Sequence, residues 1–390
     1  MTTRFPTCRS TVEAVRGLLD EAHVGFAARV FDYAERELAP RPEPASDEGA
    51  RAEARRLVAQ MGSADLYAAA AGEDLRALCL AREAIAAANP LADALVALQG
   101  LAITTLLVAD SAPLREHWVP RLRSGSAIGA FAMTEPEAGS DVAAMQTRAA
   151  RVAGGWRLDG EKHLISNAGI ADVYVVFAVT TPGAGSRGIT AFAVPAGTPG
   201  LVFAGAQVMA APHPLGRLVL EGCVVPADAV VGEVDRGFKI GMATLDRLRP
   251  SVGAAACGMA ARAVDEAVAH ARGRQQFGRA LAELQLVQEK LGRMATDLDA
   301  ARLLVYRAAW EKDHGKERIS VQAAMAKSFA TEAAQRIVDE AVQVLGGRGV
   351  IVGHPVERLY RSIRALRIYE GATDVLRLIV AGALLKEGQG

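Results

Sequence analysis

The sequence is poor in cysteine, lysine and aromatic residues, and it carries no net charge. Its four cysteines, Cys8, Cys79, Cys223 and Cys257, lie far apart and form no CxxC, so neither a disulfide framework nor a zinc site is indicated. A reducing, cytoplasmic setting fits best. With 44 basic residues against 44 acidic ones, the chain has no general field for collecting phosphates, which argues against nucleic acid as a partner. Only seven of the basic residues are lysines, a skew that warns against giving every arginine a role. The first residues, Met-Thr-Thr-Arg-Phe-Pro-Thr-Cys-Arg, lack the continuous apolar stretch of an export signal. The most membrane-like run, Leu95 to Ala109, is shorter than the roughly 20 residues that cross a bilayer and contains Gln99, Thr104 and Thr105. It reads as a buried helix, and no membrane partner is expected.

Familiar catalytic signatures are missing too. The seven histidines are isolated, with no HExxH or other ligand spacing, so no metal is expected. No GxSxG elbow occurs. Gly346-Gly347-Arg348-Gly349 follows a helical stretch rather than a strand, so it reads as a helix C-terminal turn instead of a dinucleotide or phosphate loop.

What the sequence does have is length and apolar content: 390 residues, 51% apolar, enough for two or three cores at roughly 150 residues per domain. Apolar residues recur at helical spacing from Val12 to about Leu38, where Pro40, Pro42 and Pro44 close the segment, and alanine- and leucine-rich helical stretches continue to Leu122. Near Ser124 the texture changes to β-favouring runs, Val173 to Val179, Ile189 to Val194 and Arg217 to Val225, separated by glycine- and proline-containing turns. Helical periodicity returns from about Gly237. Its clearest stretch aligns Leu284, Val287, Leu291, Met294, Leu298, Ala301 and Val305 in one stripe that must pack against other helices. The expected organisation is an α+β multidomain chain: a helical domain over residues 1–127, a β domain over 128–235 and a helical domain over 236–390.

Three segments contain candidate chemistry. Phe131-Ala132-Met133-Thr134-Glu135-Pro136-Glu137-Ala138-Gly139-Ser140-Asp141, at the junction of helical and β thirds, offers small and hydroxyl residues that let a ligand approach the backbone. Gly160-Glu161-Lys162-His163-Leu164-Ile165-Ser166-Asn167 reads as a turn and a strand ending in two hydrogen-bonding side chains. Arg361 to Asp374 places one carboxylate, Glu370, after an apolar pair and before a glycine. Glu370 could equally complement the positive end of the helix that follows.

Together and in order, these segments resemble the acyl-CoA dehydrogenase family of flavoproteins. They are similar to its TEPxAGSD loop, its GxKxWITN strand and its RDxxIxxIYEGT segment. Arg274-Gln275-Gln276-Phe277-Gly278 is similar to its RxxFG, Gln285 to the glutamine after it, and Gln343-Val344-Leu345-Gly346-Gly347 to its QxxGG. The resemblance covers Ile128 to Leu385 and, more weakly, the helical first third. It implies an N-terminal all-α domain, a middle β-barrel-like domain and a C-terminal four-helix bundle, commonly assembled as a homotetramer or homodimer. It also implies FAD as cofactor, an acyl-CoA thioester as substrate and an electron-transfer flavoprotein as electron acceptor.

Residue by residue, the resemblance makes Glu370 the base that removes the α-proton, and its apolar surroundings should raise its pKa. Some family members take the base from the position of Leu248, which cannot serve. Phe131, Met133, Thr134, Gly139, Ser140, Leu164, Ser166, Ala372 and Asp374 would meet the cofactor, as would Arg274, Phe277, Gln285, Gln343 and Gly347 across a subunit interface. Ser140, Asp246, Arg249, Tyr369 and Gly371 would meet substrate, although Asp246 and Arg249 could instead form a surface salt bridge. Four departures stand out: Leu164 for a tryptophan, Ala372 for a threonine, Ser362 for an aspartate, and no Tyr-Gly-Gly near Tyr67 to Asp74. The alternatives are an oxidase, a dehydrogenase of carrier-protein thioesters, or a non-catalytic flavoprotein of the same fold. The identity of the acyl group is not specified.

Overall fold

The computed structural model describes residues 8–72, 74–109 and 111–386. Helices come first: α1 (Cys8–Ala14), α2 (Glu21–Tyr33), α3 (Asp47–Ser63), α4 (Ala68–Ala71), α5 (Leu75–Ala88), α6 (Pro90–Val108) and α7 (Ala112–Arg123). Strands follow: β1 (Gly129–Ala132), β2 (Arg148–Val152), β3 (Gly155–Ser166), β4 (Val173–Val179), β5 (Ile189–Pro195), β6 (Leu201–Ala206) and β7 (Leu215–Pro226). The helices α8 (Gly237–Gly273), α9 (Gln285–Asp313), α10 (Ser320–Leu345), α11 (Pro355–Leu366) and α12 (Thr373–Lys386) complete the chain, with a small hairpin, β8 (Gln275–Gln276) and β9 (Arg279–Ala280), between α8 and α9. The fold is the mixed one expected, a curled sheet followed by a helical C-terminal bundle.

These elements form two compact units. One comprises Pro44–Glu73 and Ala94–Leu245, the other Met1–Glu43, Asp74–Asp93 and Asp246–Gly390, so the helices of the first third are shared between them.

In the first unit the sheet runs β1-β4-β2-β3-β7-β6, with β5 also paired to β4. Strand β4, Val-Tyr-Val-Val-Phe-Ala-Val, is buried along nearly its whole length between parallel β1 and antiparallel β5, which is why it reads as a continuous apolar run without alternation. Helix α6 is long and apolar enough to cross a membrane, 19 residues where the sequence suggested a shorter run, yet 78% of its most apolar 18-residue stretch is buried within the protein. Its polar residues are used internally. Gln99 donates to the carbonyls of Leu122 and Ala127 at 2.9 Å and accepts from the Gly129 N–H at 2.6 Å, so it anchors the start of β1.

In the second unit α10 packs against α9, α11 and α12, and α5 packs against α2 and α9. Of the apolar stripe on α9, Met294, Leu298, Ala301 and Val305 are buried, whereas Leu284, Val287 and Leu291 are only half-covered. The stretch from Val12 to Leu38, expected as one helical segment, is interrupted. Leu19 and Asp20 are extended, and the Asp20 N–H donates to His23 Nδ1 at 3.2 Å, which restarts the helix as α2. A buried network ties α1, α5 and α9. Arg302 Nε donates to Glu83 Oε1 and the Tyr306 hydroxyl to Glu83 Oε2, each at 2.8 Å, while Thr11 Oγ1 lies 3.1 Å from both Glu83 and Arg302.

Helices α5 and α8 cross so closely that a Cβ on Gly258 would lie 2.0 Å from the Glu83 carbonyl oxygen, whereas one on Gly292, in α9, would meet nothing within 4 Å. Gly258→Ala should therefore destabilise the protein by about 1–3 kcal/mol through overpacking. Gly292→Ala should instead stabilise it by up to about 1 kcal/mol from helix propensity. Denaturant unfolding of both variants checks the opposite signs.

Candidate active site

In the sheet-containing unit, the segment after β1 and the end of β3 lie side by side. The His163 N–H donates to the Thr134 carbonyl at 2.9 Å, and the Lys162 ammonium, fully buried, reaches Glu135 Oε1 at 2.7 Å and the Met133 carbonyl at 3.3 Å. Glu135 also accepts from the backbone N–H groups of Gln146 and Thr147. Burial alone would raise this carboxyl, but Lys162 and those donors outweigh it and hold it below its ordinary range. Burial in turn pushes Lys162 down to about 8. Asn167 fixes β1 from the other side, donating to the Gly129 carbonyl at 2.9 Å.

This framework presents Phe131, half-buried with its ring centroid 4.9 Å from that of Phe177, together with buried Met133 and half-buried Thr134. Opposite them the β3–β7 register slips between Lys162 and Ile165. Leu164 takes a left-handed conformation (φ 54°) there and is 51% exposed. Its N–H donates to Gln207 Oε1 at 2.8 Å. Two residues on, Ser166 Oγ lies 2.7 Å from His213 Nε2. Burial, with Arg51 nearby, pushes that imidazole down to about 4, so it is neutral at physiological pH. Gly139 and Ser140 are exposed, just beyond the short bridge between Glu135 and Ala138.

In the helical unit Glu370 occupies the turn between α11 and α12 in a left-handed conformation (φ 53°), followed by Gly371 at φ 104°. Although the residue is half-buried overall, its Oε2 is cut off from solvent and has no hydrogen-bond partner. Burial pushes the carboxyl above its ordinary value of 4.5, and Arg82, Lys327 and Arg249 pull it only part of the way back. Among the described residues, the Glu370 backbone N–H also lacks a partner. Its carbonyl, by contrast, accepts from Arg249 Nε at 2.9 Å, and the Gly371 carbonyl accepts from Lys327 Nζ at 2.7 Å. Asp246 and Arg249 do form the salt bridge that was the second reading of the sequence, but it is largely buried rather than superficial, and Ser320 donates to the other Asp246 oxygen. Tyr369 lies near Arg82 and Asp93, a bidentate pair at 2.9 Å in which Arg82 also donates to Ser251. Leu248, at the alternative base position, is buried. Ala372 is half-buried and Asp374 exposed.

The remaining sequence candidates form an exposed group in the same unit. Phe277, at the tip of the β8–β9 hairpin with φ 51°, is 89% exposed, and Arg274, Gln285, Gln343 and Gly347 are exposed as well. His270 is held below its usual pKa by burial and by Arg348 and Arg274, which makes the end of α8 and the Gly-Gly-Arg-Gly turn electrostatic neighbours.

Comparison with known proteins bears directly on this arrangement. Residues 130–223 match the family model "Acyl-CoA dehydrogenase, middle domain", and residues 235–385 match "Acyl-CoA dehydrogenase, C-terminal domain". The human mitochondrial short-chain specific acyl-CoA dehydrogenase is 38% identical over 378 residues, covering 94% of this chain and 91% of that protein. Butyryl-CoA dehydrogenase from Megasphaera elsdenii superposes with a TM-score of 0.85 at 33% identity, covering 94% of this chain and 99% of the other. Glutaryl-CoA dehydrogenase from Mycobacterium smegmatis gives 0.88 at 29% identity, covering 95% and 96%. A chain from a structure of the electron transferring flavoprotein of Acidaminococcus fermentans gives 0.88 at 34%, covering 94% and 98%.

The chain belongs to the acyl-CoA dehydrogenase family. It is accordingly an oxidoreductase acting on CH–CH bonds, in a family that uses FAD, and its reaction is acyl-CoA dehydrogenation.

Sequence reasoning quoted Glu135 and Lys162 without seeing that they pair, and it missed Arg82, Asp93, His213 and Lys327. Lys327 alone left a signal, as a lysine within Ala-Met-Ala-Lys-Ser-Phe-Ala in a chain that otherwise favours arginine. The Lys162–Glu135 pair is testable through stability. Glu135 is held below its ordinary 4.5, so the pair contributes above that pH and its contribution fades as pH falls through the lowered value. Lys162→Met strands a buried carboxylate and should cost about 3–5 kcal/mol at pH 7. The deficit should narrow in acid, as Glu135 takes up a proton. Guanidinium unfolding at pH 7 and at a pH below 4.5 checks both the size and the trend.

Proposed function

We propose that Glu370 is the base of an FAD-dependent α,β-dehydrogenation that converts an acyl-CoA to its 2-enoyl-CoA. The observation behind this reading is the carboxylate itself, buried, unpaired at Oε2 and raised above its ordinary pKa. Such a group keeps its proton-accepting oxygen free and is a stronger base than an exposed glutamate. In the step, Glu370 takes the proton from the α-carbon, and the electrons of that C–H bond become the new C=C as the β-hydride departs. The unpaired N–H of Glu370 suits it to donate to the thioester oxygen, where negative charge develops; one such donor is typically worth ~2.7–4 kcal/mol.

The residues present fit a flavin. Thr134, Ser140 and Ser166 offer neutral hydroxyls beside the apolar faces of Phe131 and exposed Leu164, a set that suits a planar ring with polar edges. FAD, when bound, supplies the hydride acceptor at N5. Neutral His213 beside Ser166 keeps that hydroxyl oriented without adding charge. Asp246 and Arg249 are engaged with each other and with the Glu370 carbonyl, so we assign them to the turn that bears the base rather than to coenzyme A. Exposed Phe277, with Leu286 78% and Val352 83% exposed, supports a homotetramer or homodimer in which Arg274, Phe277, Gln285, Gln343 and Gly347 serve a neighbouring subunit's FAD. The likeness to a chain from the electron transferring flavoprotein structure supports an electron-transfer flavoprotein as the electron acceptor.

Glu370→Gln should leave FAD bound while lowering anaerobic flavin reduction by acyl-CoA about 10²–10⁴-fold. In the unsubstituted enzyme, reduction should quicken as pH rises through the raised Glu370 pKa, because the carboxylate is the active form. Stopped-flow bleaching across pH reads both. A glutamine variant that still bleaches at the normal rate, or an acid limb at or below 4.5, contradicts the assignment.

A further inference from the structure

Lys327 takes no part in the reaction as described, yet it is among the most buried side chains in the protein, at 0% exposure on α10. Burying an ammonium costs several kcal/mol unless something compensates. Among the described residues no carboxylate lies within salt-bridge distance of Nζ, and its hydrogen bond is to the Gly371 carbonyl at 2.7 Å. The charged groups that act on it are Glu370 and Glu332, which favour the ammonium, and Arg249, which opposes it; burial outweighs them and pushes Lys327 down to about 8. A lysine kept only to join α10 to the next helix could be replaced by an apolar residue at less cost. Its place is more specific than that. Arg249 holds the carbonyl of Glu370 and Lys327 holds the next one, so two cations grip consecutive peptide units, both at positive φ. Glu370, the residue whose carbonyl Arg249 holds, also contributes the free carboxyl oxygen and the free N–H.

We propose that Lys327 is a positioning residue for the base: by fixing the Gly371 carbonyl it locks the left-handed turn and so sets the aim of the Glu370 carboxylate and N–H at the thioester. The inference rests on Glu370 being the base. A displacement of about 1 Å at such a site can cost 10²-fold in rate, which sets the expected effect.

The test isolates proton abstraction from hydride transfer by using 3,3-dimethylbutanoyl-CoA, which has α-hydrogens but none on the β-carbon. Exchange of its α-hydrogens with D2O, followed by mass spectrometry on the FAD-loaded enzyme, reads the base alone. Lys327→Met removes both the donor and the charge at similar length. It should exchange about 10²-fold more slowly than the unsubstituted enzyme, with thioester affinity within about twofold and unchanged flavin content. The acid limb of its exchange profile should move to higher pH, because a cation that lowers the Glu370 pKa has gone. Lys327→Gln, which keeps an N–H donor, should fall between the two, and it decides the matter by the same readouts if the methionine variant does not fold. Normal exchange in the lysine variants, or a loss explained wholly by weaker thioester binding, overturns the proposal. Glu370→Gln run alongside separates the two readings: if it too exchanges normally, the base assignment fails, whereas if it alone is silent, only the role of Lys327 fails.

Discussion

A non-glycine residue in the left-handed region costs on the order of 1–2 kcal/mol, and a carboxylate oxygen buried without a partner costs more. Glu370 has both features, at φ 53° and with Oε2 unpaired, so neither persists unless its surroundings compel it. The constraint comes from the carbonyl side of the turn. Arg249 and Lys327 bind two successive carbonyl oxygens, Asp246 holds Arg249 in place, and Ser320 holds Asp246. The carbonyls are satisfied so that the N–H and the carboxylate can be left open. An active site needs that asymmetry, because groups already saturated by the protein cannot bind a substrate.

The same cations limit how far burial can shift the base. Desolvation raises Glu370, while Arg82, Lys327 and Arg249 pull it down. Asp93 neutralises Arg82, and Asp246 neutralises Arg249, which keeps that opposing pull partial. The carboxyl is thereby raised, which makes it a stronger base, while the three cations oppose the shift. In the sheet-containing unit the design differs. There the buried charges of Lys162 and Glu135 meet each other directly, and their product is a rigid framework presenting neutral groups, Thr134, Leu164 and Ser166, rather than a tuned one.

How much of this was legible in the sequence depended on range. The segments around Thr134, Ser166 and Glu370 are contiguous, so their spacing carried the family resemblance, and the alternation of helical and strand periods carried the order of elements. The left-handed turn at Glu370 was not legible, because glutamate at positive φ has no local signature and the cations enforcing it lie 121 and 44 residues away in sequence. The Ser166–His213 contact, 47 residues apart, was invisible for the same reason. The break between α1 and α2 was missed because Leu19 and Asp20 interrupt the helix without interrupting its apolar pattern. Lys327 could have been flagged, since a scarce lysine in an alanine-rich apolar helix asks what its charge is for.

The central claim is that Glu370 is a buried, partnerless carboxyl held ready as a base, and its protonation can be observed without substrate. Infrared difference spectra between the unsubstituted protein and Glu370→Gln, recorded across pH in D2O, isolate the carbonyl stretch of the protonated side chain. The account predicts a band that persists above pH 4.5 and titrates away only at a higher value, at a frequency typical of a weakly hydrogen-bonded carboxyl. A band lost at or below 4.5, or one shifted as strong hydrogen bonding shifts it, would contradict the account.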